Sequence, residues 1–441
     1  MRCNALKVLV GLTLDACIFI LLVACGTVPT PQPITPSPTS APTSTPVPAT
    51  ATTSPTETLA PTPSSTPWSL FPLGGYVIVF VKNSDLYFQD GNNLPVKLTH
   101  VGEKLNYHPL LSDDNQKIVF YRADGNEYSI NTDGTDEQAI LTEITPDWMA
   151  PFRPGLNKGI LGFIPDTHQL LFQTYLCKSQ EAWPTCSVSI FLVDTDTSAI
   201  KKLADLGLFL QQLSVPRNIK ISPDGKMIAI GTPDHVDIIN THGTVIHHNI
   251  LPYKPSQNTL LFPSLFWLPD SSGLIVALPN TFYNSRAHHD FPASTIWRYS
   301  IEDNIAVQIR FDPAPMHYTF QVSPDAKWIV YGGLDGADQS VYLGNLANGH
   351  VQIVGDAVQV HFSWGPDSRY FIGTSAGSWL GSIDTPGLTR VCQLYEWVDS
   401  SHFTCFRDQK LHIAEIGAEK VEIYDLGLGN DADTVLLIKP R

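Results

Sequence analysis

One phrase recurs along the chain and limits what it can fold into. Ile219-Lys-Ile-Ser-Pro-Asp-Gly-Lys-Met-Ile-Ala-Ile230 aligns with Phe320-Gln-Val-Ser-Pro-Asp-Ala-Lys-Trp-Ile-Val-Tyr331 and with His361-Phe-Ser-Trp-Gly-Pro-Asp-Ser-Arg-Tyr-Phe-Ile372. Leu265-Phe-Trp-Leu-Pro-Asp-Ser-Ser-Gly-Leu-Ile-Val276 and Leu161-Gly-Phe-Ile-Pro-Asp-Thr-His-Gln-Leu-Leu-Phe172 follow the same line, so five Pro-Asp pairs stand at equivalent places. Leu110-Leu-Ser-Asp-Asp-Asn-Gln-Lys-Ile-Val-Phe120 and Tyr395-Glu-Trp-Val-Asp-Ser-Ser-His-Phe-Thr-Cys405 lack the proline and keep the acid. The equivalent aspartates are Asp114, Asp166, Asp224, Asp270, Asp325, Asp367 and Asp399, spaced 52, 58, 46, 55, 42 and 32 residues apart. The phrase has the chemistry of a hairpin. Proline presets φ for the first turn position, Asp accepts a hydrogen bond from the backbone just beyond it, and Gly225 or a small residue takes the left-handed position before the next strand.

After each turn comes a second strand, then a third such as Asp237-Ile-Ile-Asn240 or Ser340-Val-Tyr-Leu-Gly344, a polar tip such as Thr132-Asp-Gly-Thr135, and a fourth strand. Four short strands per unit of roughly 40 to 55 residues is the signature of a β-propeller blade. An eighth, partial unit starts directly at its second strand, Tyr76-Val-Ile-Val-Phe-Val81. The last apolar run, Thr434-Val-Leu-Leu-Ile438, is a strand without a blade, so it is expected to close the ring by completing the first blade. Trp68-Ser-Leu-Phe71 is the rival for that place. The fold class is all-β, a single propeller of eight blades. Seven is the alternative, because the last spacing of 32 is short and the unit around Asp166 is irregular.

These repeats resemble those of TolB-type propellers, whose blades carry a phrase close to W-S-P-D-G-K-x-I-A-F followed by a strand and an Asp-Gly hairpin. The resemblance covers most of residues 74–441, and Ser222-Pro-Asp-Gly-Lys226 is the nearest copy. It implies a ring-shaped protein-binding platform on the outer side of the cytoplasmic membrane, and it brings no catalytic residues with it.

The N-terminus supports export. Arg2 and Lys7 precede an apolar stretch that ends in small residues, as in a secretory signal, and its clean run from Ala16 to Ala24 is too short to span a bilayer. Leu22-Val23-Ala24-Cys25 resembles the lipobox of bacterial lipoproteins, which implies lipidation of Cys25, although Asp15 interrupts the apolar stretch. A plain secretory signal or an uncleaved anchor is the alternative. Residues 27–67 hold 12 prolines among Thr and Ser and read as a polyproline-rich spacer, or else as a Pro-rich ligand or O-glycosylated stalk. The expected organisation is a signal over 1–24, a lipidated Cys and linker over 25–67, and the propeller over 68–441. The chain is thereby placed at the cell envelope on the extracytoplasmic side, with the lipid contacting the membrane.

In an oxidising compartment the remaining cysteines sort into two local pairs, Cys177 with Cys186 across an insertion and Cys392 with Cys405 across a strand turn; four free thiols are the alternative. The formal net charge is −15, from 27 basic and 42 acidic side chains, which disfavours nucleic acid as a partner. Gly373-Thr-Ser-Ala-Gly377 fits the nucleophile-elbow pattern but runs into another strand, so Ser375 is not expected to be catalytic. His247-His248 and His288-His289-Asp290 are the densest metal-capable groups. Neighbouring histidines on a strand point to opposite faces and make no chelate by themselves, so neither a metal nor a cofactor is expected. Asp194-Thr-Asp196, Asp133 and Asp136 read as hairpin tips. Trp267, Trp297, Trp328, Trp364, Trp379 and Trp397 read as packing between blades, with a sugar-stacking or peptide-binding face as the functional alternative. The resulting expectation is a non-catalytic, membrane-anchored module binding a protein or glycan. The competing class is a propeller enzyme, glycan-active or a hydrolase or lyase, with a site at the central channel.

Overall fold

A computed structural model describes residues 72–440 apart from 101–108, 123–125, 142–155, 178–184, 211–217, 233, 254–261, 279–293, 314–319, 333–339, 357–360, 375–376, 408–409, 418–420 and 426–433. The described strands form eight four-stranded antiparallel sheets, and in seven of them the four strands follow one another in sequence. The remaining sheet joins the two ends of the propeller. Its order runs Val96–Lys97, Asp85–Asp90, Tyr76–Lys82 and then the C-terminal strand Thr434–Pro440. Val79 pairs with Leu437 and Ile78 with Ile438. The protein is therefore an eight-bladed β-propeller closed by its last strand, and the seven-blade alternative is set aside. Trp68–Phe71, the rival closing segment, lies outside the described residues.

The two spacings that had argued for seven blades have local causes. Blade 7 ends in Leu388–Val391 and blade 8 begins at Gln393, so Cys392 alone separates them and the interval to Asp399 is short. Blade 3 is built from strands of 8, 9, 10 and 11 residues, Leu156–Phe163, Gln169–Cys177, Thr185–Asp194 and Ile200–Leu210, which lengthens its unit.

Packing follows from the two-residue period of a strand whose two faces meet two different neighbours. In the second strand of blade 1, Val77 and Val79 pack toward Leu111, Ile118 and Phe120 of blade 2. The alternate residues Ile78 and Phe80 pack the other way, against Val398 and Ile413 of blade 8. The same alternation sends Ile275 and Ala277 to the seam with blade 6, and Leu274 and Val276 to the seam with blade 4. With both faces covered, the strand Gly273–Leu278 is buried at every position. Among the described residues, eight apolar clusters each join two adjacent blades, and together they run once round the ring. Stability is thus spread over seams. Emptying one filled by a fully buried aromatic such as Phe371 costs about 3–5 kcal/mol.

Candidate functional site

The first strands of successive blades touch one another: 156–163 meets 219–221, which meets 264–267, and 320–322 meets 361–364. They form the wall around the centre of the ring. Between the first strands of blades 4 to 7 lies a cavity of about 380 Å³. Phe266, Trp267, Phe362 and Trp364 give it aromatic sides, and Lys220, Gln321, Ser323 and Ser363 give it polar ones. Small-molecule and side-chain sites have this composition, an apolar lining with a few placed polar groups.

The aromatic walls are held by a repeated bond. Trp267 Nε1 donates to the carbonyl of Lys220 at 2.9 Å, Trp364 Nε1 to that of Gln321 at 3.1 Å, and Trp397 Nε1 to that of Ser363 at 3.4 Å. Each accepting residue stands four places before the turn aspartate of the preceding blade. A second latch lies beside the first. Ser271 Oγ accepts the N–H of Asp224, and Ser368 Oγ that of Asp325, again from one blade to the one before. Blades 4 and 5, and blades 6 and 7, are therefore tied twice beside the cavity. Trp267, Trp364 and Trp397 thus pack between blades as expected and also hydrogen-bond them together. That bond was findable in the sequence, because Trp267 and Trp364 both stand three residues before a repeat aspartate.

Lys220 is the one titratable group among the lining residues. It is exposed to solvent and forms no ion pair among the described residues. The dense protein wall around it nevertheless desolvates its ammonium and holds it below the ordinary lysine range. On the first strand of blade 8, Glu396 is in the mirrored situation: solvent reaches it, and burial of its surroundings raises its carboxyl above the usual range. Glu396 is not among the residues lining the cavity. Repetition of the phrase gave no hint of either residue, since both replace neutral side chains of other copies.

The turn aspartates are structural, and six of the seven work alike. Asp224 Oδ1 accepts Ser222 Oγ–H at 2.7 Å and Lys226 N–H at 3.1 Å, while Ser222 Oγ accepts Met227 N–H. Asp325 and Asp114 repeat this bond for bond. Asp270, Asp367 and Asp399 each accept the N–H two residues on. Asp399 also receives the Tyr76 hydroxyl at 2.6 Å, which links blade 8 to blade 1 at the closure. Asp166 departs from the pattern. It takes the left-handed position itself, at φ 57°, and Thr167 Oγ1 receives the N–H of Gln169 in its stead.

The blade 3 turn contributes a histidine to the blade 2 seam. His168 stands 2.8 Å from Asp196 through Nδ1 and 3.1 Å from Asp114 through Nε2. Lys117, almost wholly buried, reaches Asp196 at 2.9 Å and Asp136 at 3.4 Å. Burial works against the charged form of His168, but its hydrogen bonds and charge pairing with Asp196 and Asp114 outweigh it and raise its pKa. Burial likewise opposes the charge of Asp114 and Asp196, and their hydrogen bonds outweigh it and lower both. Asp194 and Asp133 cap hairpin tips as expected, through the N–H groups of Thr197 and Thr135.

Cys392 and Cys405 form a disulfide with Cα atoms 5.7 Å apart. Cys177 and Cys186 are register partners on adjacent strands. Cys25, Ser375 and His288-His289-Asp290 lie outside the described residues. The segments flanking Ser375, Tyr370–Thr374 and Ser378–Ser382, are paired antiparallel strands, and no helix follows as a nucleophile elbow requires. His247 ends the fourth strand of blade 4 and His248 follows it.

No protein-family model matches the chain, and no curated protein does. Among solved structures it is similar to an oligogalacturonate lyase in complex with manganese, at 16% identity over 71% of this chain and 88% of that one, with a TM-score of 0.45. It is also similar to the oligogalacturonate lyase of Vibrio parahaemolyticus, at 14% identity over 72% and 89%, with a TM-score of 0.43. TolB from Acinetobacter baumannii is similar at 12% identity over 84% and 67%, with a TM-score of 0.34. One of these neighbours is a TolB and two carry the name of an enzyme. No residue role passes from them to this chain, and the blade count rests on strand pairing alone.

Proposed function

We propose that the protein is a lipoprotein of the bacterial cell envelope, anchored through Cys25 and a Pro/Thr-rich spacer, whose propeller is a non-catalytic binding module taking an anionic group of a protein or glycan into the cavity between blades 4 and 7. The carrying observation is Lys220, a cation without an ion-pair partner among the described residues, set beside aromatic walls. An incoming carboxylate supplies the counter-charge that the wall withholds, and the Trp267 and Trp364 faces cover the apolar part of the ligand. A second disulfide, Cys177–Cys186, belongs to the same extracytoplasmic reading.

Two experiments test it. Cys25→Ala is expected to move the protein from the membrane to the soluble fraction; persistence in membranes removes the lipid anchor from the account. For binding, a diazirine amino acid placed at Gln321 is expected to give discrete adducts in intact cells of the source organism. The same probe at Val307, exposed on the outer strand of blade 5, is expected to give none of them. Identical adduct patterns at the two positions would place recognition elsewhere.

A further inference from the structure

We infer a divalent transition-metal site on the outer half of blade 4, with His235, Asp237 and His248 as ligands and Asp234 behind them. His235 stands just before the third strand Val236–Asn240, Asp237 is within it, and His248 follows the fourth strand Val245–His247. The hairpin between these strands carries a register shift at Ile238/Ile239. Ile250 then donates its N–H to the carbonyl of Val236, which brings the segment leaving the blade beside the start of the third strand. The ligand atoms of the three side chains all lie within 4.8 Å of one another. His248 Nδ1 is 2.9 Å from Asp237 Oδ1, and His235 Nε2 is 3.4 Å from Asp237 Oδ2. Metal–ligand bonds of about 2.0–2.1 Å in a tetrahedron hold ligand atoms roughly 3.3 Å apart, so small side-chain shifts admit the ion.

The second layer is already in place. His235 Nδ1 lies 2.6 Å from Asp234 Oδ1 and 2.9 Å from Thr232 Oγ1. A carboxylate on Nδ1 fixes the tautomer that donates there, and this turns the Nε2 lone pair toward Asp237 Oδ2. With an ion bound, Nε2 and Oδ2 are the two donor atoms that face it, now 3.4 Å apart. Asn249 N–H holds Asp237 Oδ1, leaving Oδ2 for the ion, and His248 exchanges its 2.9 Å contact with Oδ1 for the metal when it becomes a ligand. The His235 and His248 rings are 5.4 Å apart at 65°, each edge-on to the other rather than stacked shut. Two imidazoles and one carboxylate suit Zn²⁺, Ni²⁺ or Cu²⁺ and suit oxygen-seeking Ca²⁺ or Mg²⁺ poorly. His248 is the exposed member, its side chain 69% accessible, so water or a further donor completes the coordination.

Adjacent histidines alone do not make this site, in keeping with the sequence argument about His247-His248; the chelate comes from pairing His248 with residues 11 and 13 positions earlier, across the hairpin. It lies on the side of the blade opposite the Pro-Asp turns and is independent of the cavity.

Zinc titration of the purified, untagged mature chain, followed by competition with a chromophoric chelator, tests it. One Zn²⁺ per chain is expected, with a rise in thermal midpoint on loading. His248→Gln and Asp237→Asn are each expected to weaken binding at least about tenfold and to abolish that rise. Asp234→Asn, which leaves all three ligands, is expected to weaken it about tenfold. Cobalt in place of zinc is expected to give visible d–d bands that His248→Gln removes, and an unchanged far-ultraviolet spectrum of that variant shows that the blade is intact. No binding at millimolar zinc, or binding that the three substitutions leave unaltered, overturns the site.

Discussion

Trp364 donates its indole N–H across a blade boundary while its ring walls the cavity, so changing it tests architecture and site together. Trp364→Phe keeps an aromatic ring but leaves the Gln321 carbonyl without that donor, and urea unfolding is expected to show a loss of about 1–3 kcal/mol. An unchanged midpoint would mean that the latch carries no stability. The His168 seam gives a pH signature whose sign follows from its shifts. A raised His168 pKa contributes stability that is present below the unfolded value of about 6.5 and is lost as pH rises through the folded one. Lowered Asp114 and Asp196 contribute above about 3.9 and lose their share as pH falls through their folded values. The seam is therefore strongest between about pH 4 and 6.5. The Tm gap between the parent and His168→Asn is expected to be widest near pH 5.5 and to shrink by pH 8.5; a gap constant with pH contradicts the pairing. At this scale the sequence revealed what repeats. Six of the seven turn aspartates were legible because each meets its own backbone two residues on. Lys220 and His168 were not, because the wall around the one and the carboxylates around the other come from different blades. Asp166 stands in its blade turn with a left-handed φ of its own, and Thr167 Oγ1 receives the N–H of Gln169 there, a local difference that the repeat does not reveal.

Strands and hairpins were legible for a different reason. A second strand such as Gly273–Leu278 is apolar throughout because both of its faces are covered, and the turn residues mark where it starts. What the chain pattern left open was length. Blade 3 extends its hairpins and blade 7 passes into blade 8 through Cys392 alone, and both blur a blade count made from spacing. That same Cys392 is bonded to Cys405, 13 residues on, across the first hairpin of blade 8. Replacing both cysteines by serine is expected to lower stability by about 2–3 kcal/mol, in line with a short closed loop. Chemical denaturation of the double variant beside the reduced parent checks this, and equal stability of oxidised parent and variant would remove the bond's contribution.

The whole ring depends on a strand from each end of the propeller. Deleting residues 434–441 strips Tyr76–Lys82 of one of its two partner strands and exposes an apolar edge, so the truncated chain is expected to aggregate or melt without a single cooperative transition. A soluble, cooperatively melting truncation would show that blade 1 closes the ring without it. Closure was legible because the last apolar run had no blade of its own, whereas the cavity was not, because it exists only once four first strands stand side by side. Recognition at that cavity is measured by combining the Gln321 photo-probe with Lys220→Met in intact cells. If Lys220 supplies the counter-charge for the ligand, adduct yield falls at least about tenfold while the amount of folded protein in the cells stays the same. Undiminished adducts in the Lys220→Met background would contradict anion recognition at the centre of the ring.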